Sequence, residues 1–272
     1  MTSRLRPRAE QAEGLAIVSV AVLFEAFQRS MRYLLTFALT LATLLQAAVA
    51  AAQPDPDALY RDRTNLARAQ EAASIWTARL AADPRDFESA WKLARATYWL
   101  GEHDAPDARR KWLERGVEVA RSATTLQPKR PEGFFWMAAN MGALAESFGM
   151  RQGLRYRGPI KEALETVLAL DPKYLDGSAD RALGRWYHRV PGLFGGDKKK
   201  AEAHLRKSLT YDPNSTVSHF FLAETLIELG RNTEATQELQ KVLDAPLNPE
   251  FTPEDREYKQ KAADLLARLR KR

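Results

Sequence analysis

The 272-residue chain contains no cysteine. That absence excludes disulfide frameworks, thiolate-ligated zinc and iron–sulfur sites, cysteine nucleophiles, and the acylated cysteine that anchors bacterial lipoproteins. Stability must therefore come from packing. Glycine and proline are sparse at 14 residues each, and 45% hydrophobic against 28% charged residues is the balance of a globular chain, neither fibrous nor disordered. Catalytic signatures are missing too: there is no HExxH, GxSxG or GxxxxGKS/T, and no GxGxxG after a strand. The four histidines, His103, His188, His204 and His219, never fall at metal-ligand spacing with one another. No enzyme activity, metal or cofactor is expected.

Residues 31–52, MRYLLTFALTLATLLQAAVAAA, have the layout of a secretory signal peptide. Arg32 is the positive start, Leu34 to Leu45 the apolar run, and Ala48-Val49-Ala50 the small-x-small cleavage pattern. The run is shorter than the roughly 20 apolar residues of a membrane span unless the following alanines are counted, which leaves an uncleaved anchor as the alternative. A signal peptide begins at its own methionine, so Met31 is the expected start, with residues 1–30 a gene-start artefact or a longer leader. The organisation expected is therefore a leader over 1–52 and one domain over 53–272.

Removing the leader changes the charge. The whole chain carries +6, but residues 53–272 hold 36 basic and 32 acidic residues, a net +4. Arg268, Arg270, Lys271 and Arg272 account for that surplus and complement the dipole at the end of a last helix. A nucleic-acid binder needs a basic face that neutralises several phosphates, and a body this close to neutral argues against one.

A phrase recurs through the remaining chain: LAADP (80–84), TLQP (125–128), LALDP (168–172) and LTYDP (209–213). Its prolines lie 44, 44 and 41 residues apart, a period that signals stacked helical hairpins. Proline there ends one helix and sets the angle into the next. The clearest unit is Thr216 to Pro249, where Leu222, Ala223, Leu226, Gly230, Ala235, Leu239 and Leu243 have tetratricopeptide spacing. Leu93-Ala94 with Gly101, Met137-Ala138 with Met141, and Leu183-Gly184 with Tyr187 open looser units; Ala72, Gly116 and Ala201 fill or adjoin the small position of second helices. The period exceeds the tetratricopeptide 34 by about seven to ten residues. Most breakers between a unit's helices fall in 102–110, 147–158 and 190–197, so these are expected as inserted loops along one rim. Residues 253–267, begun by Thr252 and Pro253, read as a capping helix. No segment alternates with period two, and no sheet is expected.

The order of WKLARATYWLG (91–101), the 169–209 segment, the 216–249 repeat and FTPEDREYKQKAADLLARL (251–269) resembles an atypical tetratricopeptide domain. Two groups share it: the T-component of tripartite periplasmic (TRAP) transporters and the regulator of microtubule dynamics family. The resemblance covers about residues 60–270. It implies an all-α, right-handed solenoid; the leader favours the envelope protein over the cytoskeletal one. The T-component resemblance further implies association with a protein partner, a periplasmic solute-binding component, and is compatible with a homo-oligomer. Such proteins are often tethered through a lipidated cysteine, a route this chain cannot use.

Two sites follow. Transferring the inner-groove positions of a tetratricopeptide array selects Trp91, Arg95, Tyr98 and Trp99, then Phe135, then Arg181, Arg185, His188 and Arg189, then Phe220 and Glu224. Arginine forks pair with carboxylates and aromatic rings contribute area at low entropy cost, so this set suits an acidic or C-terminal peptide, or an organic acid. Core packing is the competing explanation for the aromatics. The other segment is Pro191 to Lys200, where Gly195, Gly196, Lys198 and Lys199 are candidates for an anion site at a helix start, or merely a turn capped by Asp197.

The chain reads as an exported helical scaffold that works by binding, an accessory of a periplasmic solute transporter. The alternatives are a carrier enclosing an apolar or organic-anion ligand, and a hydrolase concealed in the loops. Mass spectrometry of the mature N-terminus tests the leader: a first residue near Ala51 or Gln53 is expected, and an intact Met1 would overturn export by cleavage.

Overall fold

The structure, a computed structural model, describes residues 54–270 together with 28–34, 36, 37 and 40. The chain divides into two units, Met1–Pro54 and Asp55–Arg272. In the first, the described residues are helical and exposed, while most of the expected apolar run and its cleavage pattern lie outside the described residues. Among the described residues no helix is long and apolar enough to cross a membrane.

The second unit is all helix. In chain order it contains α1 (Pro56–Arg61), α2 (Leu66–Ala82), α3 (Phe87–His103), α4 (Pro106–Leu126), α5 (Pro131–Ser147), α6 (Met150–Leu170) and α7 (Ser178–Arg189). A 3₁₀ turn (Gly192–Phe194) follows, then α8 (Lys198–Ser208), α9 (Thr216–Glu228), α10 (Asn232–Asp244) and α11 (Thr252–Leu269). The described residues include no strand, as expected from the absence of period-two patterning.

The recurring proline phrase builds one turn four times. Asp83, Asp171 and Asp212 each accept a side-chain hydrogen bond from the amide two residues on, at 2.9–3.0 Å. Proline stands between donor and acceptor, so the helix cannot continue. Backbone bonds from Asp86, Arg130, Tyr174 and Ser215 to the carbonyl three residues earlier close all four turns at 3.1–3.2 Å. Asp86 and Ser215 then cap α3 and α9 by accepting from the amides of Ser89 and Ser218.

Each helix packs on its predecessor, and α3 also packs on α5 and α9 on α11. The cores are layers of leucine with small residues at the crossings. One, from Trp76 through Leu93, Leu100, Leu113, Met141, Leu144 and Leu164 to Leu183, serves the first half. The other, Leu205, Leu222, Leu226, Leu239, Val242 and Leu266, serves the second. As expected for a capping helix, α11 buries Ala262 and Leu266 and leaves Tyr258, Leu265 and Leu269 partly buried.

The extra length of each repeat lies where the sequence reading placed it only once. Residues 190–197 form a true connecting loop. The 102–110 and 147–158 segments do not: two-residue links suffice there, and α4 and α6 reach 21 residues each. Pro159 lies inside α6. Among the described residues no shared rim of three loops exists, because Pro106 takes the first position of α4, where proline is tolerated, and Gly153 and Gly158 are carried inside α6.

The ends of the array meet. Arg63, only 4% exposed, donates from Nε to Glu254 Oε1 at 3.1 Å and from Nη2 to the Glu250 carbonyl at 2.9 Å, and pairs with Glu254 Oε2. His103 Nε2 lies 2.6 Å from Glu257 Oε1. Trp99 supports this junction by stacking on His103 at 3.6 Å and donating to the Arg63 carbonyl at 2.8 Å.

Gly116 tests the packing. A Cβ there would stand 2.1 Å from Asn140 Oδ1 and 2.5 Å from Thr97 Oγ1, whereas one at Gly142 would meet nothing within 4 Å. Gly116→Ala is expected to lower the unfolding free energy by about 1–2 kcal/mol despite better helix propensity. Gly142→Ala should raise it by up to about 1 kcal/mol. Urea denaturation of both variants checks the opposite signs.

Candidate functional site

Four helices, α3, α7, α9 and α11, turn side chains toward one inner space. From α3, the Arg95 guanidinium carbon lies 4.2 Å from the Tyr60 ring centroid and 5.1 Å from that of Trp91. Asp57 holds it at 3.4 Å and Lys92 at 2.7 Å. Arg95 Nε is buried without a partner among the described residues. Tyr98 packs on Trp136 at 5.9 Å, and Trp136 Nε1 is likewise buried and unpartnered. Phe135 is largely buried between Trp136 and Tyr174, at 5.1 and 5.6 Å.

Arg185 on α7 is fully engaged. It forms a two-pronged pair with Glu146 at 3.1 Å, reaches Glu224 at 2.6 Å and stands 4.6 Å from the Phe221 ring. Glu146 and Glu224 each lie 39 residues from Arg185, so equivalent positions of successive repeats build an acid–base–acid ladder. Burial works against the arginine's charge, but the two carboxylates outweigh it and hold its pKa above the ordinary range. Arg189 is exposed and approaches Glu146 at 3.6 Å.

Arg181 lies one turn before Arg185 and differs from it. It is partly buried, and its guanidinium makes no hydrogen bond or ion pair among the described residues. Burial pushes its pKa down, with Tyr258, Asp212, Asp176 and Tyr98 opposing weakly from a distance. It remains a cation at neutral pH, since no protein environment deprotonates arginine. Tyr258 packs on Phe220 and Phe221 at 5.4 and 5.7 Å. Burial lifts the Tyr98 and Tyr258 hydroxyls well above their ordinary range and the Tyr60 hydroxyl to about 12. Tyr98 and Tyr258 both act on the ionisation of Arg181, which makes α3, α7 and α11 electrostatic neighbours. An arginine without an ion pair beside aromatic rings suits a ligand bearing one anionic group and an apolar or aromatic body.

Of the predicted groove residues, the structure joins Trp91 with Arg95 and Arg185 with Glu224, while Tyr98 packs on Trp136 and Arg181 forms no ion pair among the described residues. The structure places Trp99 at the junction of the ends and Phe135 and Phe220 in the core. His188 is buried at the α7–α9 contact, 3.1 Å from Thr225 Oγ1 and 3.3 Å from Glu228. Burial first, and the Lys198 charge second, push its imidazole down to about 4, so it is neutral. Around the second predicted site, Lys198 pairs with Glu228 at 2.5 Å and with the His188 carbonyl. The Asp197 carboxylate accepts from the amides of Lys199 and Lys200, at 2.9 and 3.1 Å. Gly195 adopts φ +101° in the turn, and a Cβ on Gly196 would collide with the Val190 carbonyl. Lys199 is exposed.

Tyr60, Glu146, Trp136 and Tyr174 escaped the sequence reading, and Tyr258 was legible only as part of the capping helix's buried stripe. Only Glu146 carried a readable signal, its 39-residue offset from Arg185. Among the described residues no group of three or more His, Asp or Glu is placed to hold a metal.

Stacked antiparallel hairpins with glycine or alanine at the crossings make this a tetratricopeptide-like helical-repeat protein. The model of the TRAP transporter T-component family matches residues 100–271, well over half of the chain, and the chain belongs to that family. Asp57, Tyr60, Trp91, Arg95 and Tyr98 precede the matched segment. Among solved structures, TTC0263, a thermophilic TPR protein of Thermus thermophilus, is 22% identical with a TM-score of 0.60, over 79% of this chain and all of that one. MamA of Desulfovibrio magneticus RS-1 is 19% identical with a TM-score of 0.48, over 71% and 97% of the two chains. The likeness to TTC0263 is one of fold. No curated protein sequence matches the chain.

The junction of the ends is expected to respond to pH. Burial opposes protonation of His103, but the bond to Glu257 prevails and raises its pKa, while burial of Glu257 is outweighed by His103, which lowers the carboxyl pKa. A raised histidine stabilises fully below its unfolded value of 6.5 and is lost as pH rises through the folded value. A lowered glutamate stabilises above 4.5 and is lost as pH falls through its folded value. The pair is therefore strongest between those limits. Denaturation midpoints at about pH 6 and about pH 8 should converge for wild type and His103→Gln at the higher value; a pH-independent gap would refute the latch.

Proposed function

We propose that this protein is an exported, non-catalytic accessory of a tripartite periplasmic solute transporter, a helical scaffold in the cell envelope that binds a solute-binding protein partner. Membership of the T-component family supports the transporter role. The signal-peptide layout of residues 31–52 supports the periplasm. The observation that carries binding is Arg181, a partly buried cation whose guanidinium forms no ion pair among the described residues. A ligand's carboxylate would supply the counter-charge. A partner's acidic or C-terminal segment is one source of that anion.

A second reading is favoured by α11, whose Tyr258 stands across the groove against Phe220 and Phe221. Narrowed in this way, the inner face suits a small organic anion, and the protein would then be a carrier. Native mass spectrometry of the protein purified from its own envelope separates the two readings: a stoichiometric protein supports the scaffold, an organic acid the carrier. Because Arg181 has no structural partner, Arg181→Ala should fold normally by circular dichroism and lose at least ~10-fold in affinity for whichever species is bound. Unchanged capture by a folded variant would remove the inner face as the binding site.

A further inference from the structure

The first half of α6 is more exposed than the second and meets the core through the partly buried Tyr156. The helix spans Met150–Leu170, yet its buried residues, Ile160, Ala163, Leu164 and Val167, all lie in the second half. Residues 150–159 include no fully buried side chain and form an arm. Beside the arm runs the 3₁₀ turn Gly192–Phe194, which also buries nothing. Two contacts hold the segments together: Trp186 Nε1 donates to the Arg157 carbonyl at 2.9 Å, and the Arg157 guanidinium lies 5.3 Å from the Phe194 ring.

This edge concentrates exposed apolar side chains. Among the described residues of the Asp55–Arg272 unit, four large apolar residues are exposed: Met150 at 75%, Leu154 at 40%, Leu193 at 90% and Leu247 at 42%. The first three belong to the arm and the turn. Met150 and Leu154 share one helical stripe, and Arg151 and Arg155 form the stripe beside it. Tyr156 and Phe194 sit partly buried beneath the tips. Scattered single apolar residues need no explanation, but three on one edge, rimmed by cations, do.

The cations are not consumed by carboxylates. Arg151, Arg155, Arg157, Lys199 and Lys200 form no ion pair among the described residues, and the Asp197 carboxylate beside them is engaged by two backbone amides. Met150, Leu154 and Leu193 are thus exposed on the same two segments that carry these unpaired cations. A surface that accepts isolated tips to a shallow depth while neutralising the surrounding arginines and lysines is an anionic bilayer interface. We propose that Met150, Leu154 and Leu193 insert into the headgroup region of an anionic membrane, with Arg151, Arg155, Arg157, Lys199 and Lys200 on its phosphates, and that this edge docks the body of the protein on the bilayer.

The absence of cysteine makes the test direct, because Leu193→Cys introduces the sole thiol of the full chain. An environment-sensitive fluorophore at that position is titrated with phosphatidylcholine vesicles with and without phosphatidylglycerol. Gln237→Cys, exposed on α10, is the control. A blue shift at 193, absent at 237, dependent on phosphatidylglycerol and reversed by salt, is the expected result. Replacing Arg151, Arg155 and Arg157 together by Ala should raise the lipid concentration at half-maximal shift by at least ~10-fold. No shift at 193, equal shifts at both positions, or an unchanged titration in the triple variant would overturn the proposal. So would a shift that needs no vesicles and grows with protein concentration, which would identify a second copy of the chain as the occupant.

Discussion

Gly116 lies where α3, α4 and α5 meet, with Asn140 Oδ1 and Thr97 Oγ1 inside the radius that any Cβ would need. That approach sets the spacing of α3, α4 and α5. Asn140 secures it by donating from Nδ2 to the carbonyls of Ala94 and Trp136, at 2.9 and 2.8 Å, which ties α5 to α3. The same spacing brings Tyr98 against Trp136 and fixes the aromatic wall of the inner face. Gly184 repeats the device on α7, where a Cβ would stand 2.5 Å from Leu205 Cγ. Packing at bulk-free crossings, in a chain with no covalent staple, determines how far apart the binding side chains stand.

Closure of the array changes what those side chains can do. In an open solenoid, the inner positions of successive hairpins face water. Here α11 returns toward the first hairpins and meets them through long side chains, with Arg63 on Glu254 and His103 on Glu257. Burial raises the Tyr98 and Tyr258 hydroxyls and lowers Arg181. Two arginines one turn apart thereby differ in their surroundings. Arg185 completes the Glu146–Arg185–Glu224 ladder that links successive repeats, while the Arg181 guanidinium forms no ion pair among the described residues. Outside the closed body, length that might have entered loops extends α6 into an arm with its own surface chemistry.

Much of the fold was legible in the residues, because helices with buried seams leave a periodic record and Asp-Pro turns punctuate it. The Asp83, Asp171 and Asp212 turns, the capping helix after Thr252 and the 216–249 hairpin all appear where local pattern put them. The site was less legible. Transfer of groove positions named residues on α3 and α7, yet it could not separate Arg181 from Arg185, whose carboxylate partners come from elements 39 residues away on either side. His188 and Trp99 occupy groove-like positions by spacing but are consumed by contacts with α9 and with the Arg63 segment. Breaker residues misled at 147–158, since Gly153, Gly158 and Pro159 are all accommodated in a continuous helix.

Local sequence thus determined most of the helices and their order, because capping, proline stops and apolar periodicity act within a few residues of the chain. Through the missing cysteine it also excluded thiol and disulfide chemistry. Only the tertiary structure decided which charges are paired, that the array closes on α11, and which apolar residues remain exposed. Those properties depend on partners 39 to 191 residues away, as in the Arg185 ladder and the Arg63–Glu254 pair. No local pattern encodes a neighbour that distant until the repeats have stacked.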